Sequence, residues 1–122
     1  MSLRAFTGAF LATLMLSSAS AFAHAELASA NPPVDAIVKV APTEISITFT
    51  EAVEAKFSSI EVLDAKNNRL EQGKPQTMPN DAKTLHIPVK PLTAGTYKVM
   101  WHAVSSDDSH KTKGEYKFTV EP

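Results

Sequence analysis

The residues best suited to chemistry lie near opposite ends of the chain. One is His24, inside Ala21-Phe22-Ala23-His24-Ala25-Glu26-Leu27; the others are Asp108 and His110, inside the polar run of residues 104–114. Ala21 and Ala23 read as the small residues of a signal-cleavage site, so His24 is expected to become the first residue of the working protein. A free α-amine and an imidazole on one residue can close a chelate ring on a metal ion through Nδ1, once the amine is deprotonated. An internal histidine cannot do this. Asp108 and His110 are two apart, so in an extended segment their side chains point the same way. Joined to the two nitrogens of His24, they would make a set of three nitrogens and one oxygen, which suits a tetragonal Cu(II) site. An Asp-x-His pair alone says little. Beside a cleavage-exposed histidine it gains meaning, because the two features are independent and chemically complementary.

Composition narrows the alternatives. The chain has no cysteine, which removes thiolate sites for zinc, Cu(I) or iron–sulfur clusters and leaves nitrogen, carboxylate and thioether donors, a choice leaning toward Cu(II) or Zn(II). Residues 1–23 have the parts of a secretory signal: a basic start at Arg4, an apolar run of about a dozen residues, and the small-residue end. That run is too short to span a bilayer of roughly 30 Å, and no second one follows, so the mature chain is expected to be soluble and exported. Taking 23 residues from 122 leaves 99, enough for one domain, residues 24–122. Loss of Arg4 leaves 11 basic against 13 acidic side chains, a charge of −2 and no basic field for nucleic acid.

Each candidate also has a plain reading. His24 is an ordinary surface histidine if cleavage falls elsewhere; His110 is a solvated loop residue; Asp107 and Asp108 form an Asx-turn without metal. His86 and His102 alternate onto the face opposite their apolar neighbours and are expected to be exposed and inert. Met78 is a lone thioether, which is no site, and Met100 is read as packing on the sheet. Lys111 and Lys113 are solvated, or meet an acidic partner. The serines near His110 are not placed by any Ser-His-Asp motif, so no nucleophilic enzyme is indicated.

The elements that must position these residues are strands. From Leu27 onward, short alternating apolar and polar runs are separated by Pro, Gly and Asn, with no long helical period. Strands are expected at 27–30, 44–50, 58–63, from near Arg69, at 84–89, 96–102 and 116–120, with 34–40 ambiguous. Ile45, Ile47 and Phe49 would form one buried face, Tyr97, Val99 and Trp101 another, and Trp101 would centre the core. Residues 71–83 read as a long surface connection and 104–114 as the loop before the last strand. Seven strands at roughly ten-residue spacing describe an all-β, antiparallel Greek-key β-sandwich.

Several motifs together resemble a known family. They are His24-Ala25-Glu26-Leu27, Ile47-Thr48-Phe49-Thr50-Glu51, Phe57-Ser58, Leu92-Thr93-Ala94-Gly95-Thr96-Tyr97-Lys98-Val99, Trp101-His102-Ala103-Val104-Ser105 and Lys111-Thr112-Lys113-Gly114-Glu115-Tyr116-Lys117-Phe118-Thr119-Val120. Across essentially all the mature chain, they resemble the periplasmic CopC copper-binding proteins, above all the short, methionine-poor YobA-like members. The resemblance implies a cupredoxin-like (Ig-like) sandwich or barrel that binds Cu(II) at one end. Its ligands would be His24, Asp108 and His110, with Glu51 beside the site orienting a ligand or accepting a hydrogen bond from the amine. It also implies a copper carrier or buffer in homeostasis or resistance, not an enzyme, monomeric, which passes copper to a CopD-type inner-membrane transporter.

Two departures from the family pattern stand out. The family loop runs Val-Ser-x-Asp-x-His, and here one more residue lies between Ser105 and His110, so Asp107 or Asp108 could face the metal; Asp108 keeps the spacing to His110. The methionine-rich Cu(I) loop of many members is absent, so a Cu(II)-only protein is expected. Two competing functions remain in view: a histidine-brace copper oxygenase, for which 99 residues leave little substrate platform, and a metal-free sandwich adaptor. Copper binding would weaken as pH falls through roughly 6, where imidazoles and an α-amine take up protons.

Overall fold

The computed structural model describes residues 24–122; the expected signal segment, residues 1–23, lies outside the described residues. Within them the strands are β1 Leu27–Asn31, β2 Ile37–Val38, β3 Glu44–Phe49, β4 Ser59–Leu63, β5 Gln76–Met78, β6 Asp81–Pro88, β7 Gly95–Val104 and β8 Lys111–Val120, with one 3-10 turn at Ala55–Phe57. They form two four-stranded sheets, ordered β1-β3-β6-β5 and β2-β8-β7-β4. Each pairing is antiparallel except that of β2 with β8, which is parallel. The all-β sandwich expected from the sequence is the fold observed.

Period-two alternation explains the core. Ile45, Ile47 and Phe49 on β3 and Leu85 and Ile87 on β6 face inward from one sheet; Tyr97, Val99 and Trp101 on β7 and Tyr116 and Phe118 on β8 face them from the other. Trp101 is 3% exposed and meets Phe49 edge to face, ring centroids 5.1 Å apart, so it centres the core as its alternation predicts.

Three expectations are corrected. Residues 71–83 are not a bare connection: β5 and the start of β6 lie there, joined by Pro79-Asn80, with Asn80 at φ 62°. Proline followed by a left-handed Asn is type II turn chemistry, and it makes a hairpin from a stretch whose composition reads as loop. The region near Arg69 forms no strand, only single bridges of Leu63 with Arg69 and of Glu71 with Val89. The last strand starts at Lys111, so the loop between β7 and β8 shrinks to residues 105–110. Gly114 is a strand residue directly across from Trp101.

This register gathers the candidate residues at one end. Leu27 pairs with Phe49, so the chain before β1 emerges where β3 ends. Val104 pairs with Lys111 at the same end. Residues 50–54 cross between the two, with Val53 bridging Ser105, Ser106 N–H donating to the Ala52 carbonyl and Glu54 N–H to that of Val104.

Candidate metal centre

The N-terminal arm is held by backbone and hydroxyl groups. Thr50 N–H donates to the Glu26 carbonyl at 2.8 Å. Its hydroxyl accepts from Glu26 N–H at 3.0 Å and donates to the His24 carbonyl at 3.1 Å. From the other sheet, the Thr112 hydroxyl donates to the Ala25 carbonyl at 2.6 Å, and Ala25 is fully buried. Ordinary antiparallel pairing thus continues past β1 until its partner strand ends, and two threonines take over.

The loop of residues 105–110 closes on itself. Ser105 N–H donates to the His110 carbonyl at 2.9 Å and Ser109 N–H to the Ser105 carbonyl at 3.0 Å. Ser109 takes a left-handed conformation, φ 58°. His110 N–H donates to Asp108 Oδ1 at 2.9 Å. That bond, with smaller help from the Ser105 hydroxyl and the His110 ring, holds the Asp108 carboxyl below the usual carboxylate range, so it is ionised at neutral pH.

The outcome is a meeting of residues from the two ends of the chain: the His24 and His110 rings lie with centroids 4.0 Å apart, inclined by 47°. Asp108 belongs to the same loop, and its Oδ1 accepts the His110 N–H within the turn; among the described residues no group of three or more His, Asp or Glu converges as a metal cage. Asp107 is exposed. Glu51 sits half-buried between Thr50, which grips the arm, and Ala52, which grips the loop, and among the described residues its carboxylate forms no ion pair.

The donors fit Cu(II): two imidazoles in contact and an ionised carboxylate in the adjoining turn. The His24 nitrogen is a peptide nitrogen while Ala23 precedes it, so a third nitrogen donor arises on cleavage there.

Neither of the other two histidines enters the His24–His110 ring contact. His102 is exposed, as alternation predicts, with Nδ1 3.5 Å from the Ser59 hydroxyl. His86 is less exposed than expected, since its ring is three-quarters covered and Nδ1 lies 3.1 Å from Glu44 Oε2 across the β3–β6 ladder. Met100 faces outward on β7, half-buried. Sequence reasoning missed Thr50 and Thr112 as supporting residues, because their partners are backbone atoms that no alternation or motif brings near them.

A family model of the CopC domain matches residues 27–121. The chain belongs to the CopC family. It is 39% identical over 109 residues to Protein YobA of Escherichia coli strain K12, covering 88% of this chain and 87% of that protein. It is 40% identical over 110 residues to Copper resistance protein C of Escherichia coli, covering 83% of this chain and 84% of that protein. Among solved structures, the crystal structure of CopC from Methylosinus trichosporium OB3b superposes with a TM-score of 0.75 at 29% identity, covering 81% of this chain and 95% of that one. The β-sandwich of this CopC chain is therefore a family architecture. No helix among the described residues is long and apolar enough to cross a membrane.

Proposed function

We propose that this CopC-family chain is a periplasmic copper-binding protein that holds Cu(II) and hands it on as a carrier or buffer, without turnover. Cleavage after Ala23 would free the amine of His24, and residues 24–122 would then form the copper-binding domain. The ligands are the amine and imidazole of His24, the imidazole of His110 and the carboxylate of Asp108; Glu51 is a supporting neighbour. The observation that carries this reading is the 4.0 Å approach of the His24 and His110 rings. Two imidazoles from opposite chain ends, each tied by its own hydrogen-bonded segment, form half of a tetragonal nitrogen–oxygen set. The absence of cysteine and the copper resistance proteins among its relatives point the same way. The domain acts as a monomer, and the recipient is a CopD-type inner-membrane copper transporter.

The deciding experiment is Cu(II) titration followed by electron paramagnetic resonance, on protein beginning at His24 and on a variant carrying one extra residue before it. The reading expects one equivalent of Cu(II) with coupling from several nitrogens in the first, and a marked loss of affinity with altered coupling in the second. Equal affinity and equal spectra in both would overturn it.

A further inference from the structure

The arm that carries His24 extends beyond the strand ladder that could hold it. The pairing of β1 with β3 begins at Leu27 and Phe49, and the last backbone bond outward runs from Thr50 N–H to the Glu26 carbonyl. From there two hydroxyls from different sheets take over. Thr50 uses its hydroxyl as acceptor for Glu26 N–H and donor to the His24 carbonyl, doing for two backbone groups what a partner strand would do. Thr112 donates from β8 to the carbonyl of fully buried Ala25.

The Thr112 bond joins the residue immediately after His24 to the residue two beyond His110. It therefore sets the spacing of the two backbones whose imidazoles meet. We infer that Thr50 and Thr112 are positioning residues of the copper site, which hold the N-terminal arm in register so that His24 is presented to His110 before metal arrives. This inference rests on the copper reading above. Neither hydroxyl touches the ion; each acts through the arm. Groups that orient ligands in this way typically support affinity by about 10–100-fold, because the ligand geometry is otherwise assembled at the expense of chain entropy.

The test uses pairs that differ in little beyond the hydroxyl: Thr112→Ser against Thr112→Ala, and Thr50→Ser against Thr50→Ala. Cu(II) affinity is expected to fall about tenfold or more in each Ala variant relative to its Ser counterpart, with altered nitrogen coupling in the resonance spectrum. In copper-free protein, exchange of the Glu26 amide is expected to speed up in Thr50→Ala and to stay slow in Thr50→Ser. Should one Ala variant fail to fold, the other pair carries the same comparison. Equal affinity and identical spectra within both pairs would overturn the positioning role while leaving the copper site standing. If wild-type protein bound no nitrogen-coupled Cu(II), the copper reading would fall; the amide-exchange comparison would still report whether the hydroxyls fix the arm.

Discussion

Trp101 on β7 lies directly across the ladder from Gly114 on β8, and its indole occupies the space that a side chain at Gly114 would need: a Cβ there would sit 2.5 Å from Cζ2. The glycine is required by packing, since the indole is also held edge-on by Phe49 and cannot swing away freely.

Gly114→Ala should therefore destabilise the fold by about 1–3 kcal/mol through overpacking. Urea unfolding of the copper-free protein checks this. A loss below about 0.5 kcal/mol would mean that the indole shifts readily and that the contact constrains little.

Tyr116 presents a different imbalance. Its hydroxyl is buried with no hydrogen-bond partner among the described residues, and burial alone pushes its ionisation well above the usual tyrosine range. Replacing it with phenylalanine removes an unpaired polar atom, so Tyr116→Phe should be neutral or stabilising by up to about 1 kcal/mol at pH 7.

The pH dependence of that residue has a definite sign. A folded-state value raised above the unfolded one, near 10, favours the neutral phenol in the native state, so its effect is nil below pH 10 and destabilising above it. Stability should fall above pH 10 in the wild type, and less steeply in Tyr116→Phe; parallel alkaline melting curves for the two proteins would contradict this.

Ser109 holds a left-handed backbone conformation within the β7–β8 loop. A non-glycine residue there carries a steric cost of about 1–2 kcal/mol, part of which glycine recovers before its greater unfolded-state entropy is counted. Ser109→Gly should gain about 0.5–1 kcal/mol in thermal or urea unfolding, and a clear loss would show that the hydroxyl has a role of its own.

The histidines should separate cleanly in metal titration. His110→Asn is expected to lower Cu(II) affinity by more than the roughly 10–100-fold that a supporting residue costs, and to remove one nitrogen coupling. His86→Asn should leave copper binding unchanged, because that ring is engaged with Glu44 on the outer face of the other sheet; it should cost no more than about 1 kcal/mol of stability. Equal copper losses in both variants would disconnect His110 from the site.

Much of the fold was legible in the chain because burial on a pleated sheet imposes a period of two. Ile45, Ile47 and Phe49 alternate with Glu44, Ser46 and Thr48 whatever lies across from them, and Trp101 could be assigned to the core by the same rule. The β5–β6 hairpin escaped because its strands are short and its turn depends on a backbone conformation at Asn80. The parallel pairing of β2 with β8 escaped because two residues carry no readable period.

By itself the sequence determined the strand class, the inward faces and the absence of thiolate ligands. Only the tertiary structure decided that the His24 and His110 rings touch, that Asp108 Oδ1 accepts the His110 N–H, and that Thr50 and Thr112 hold the arm. The reason is physical: periodicity records which side of an element is buried, whereas contacts between distant segments depend on strand order and register, which no local pattern encodes.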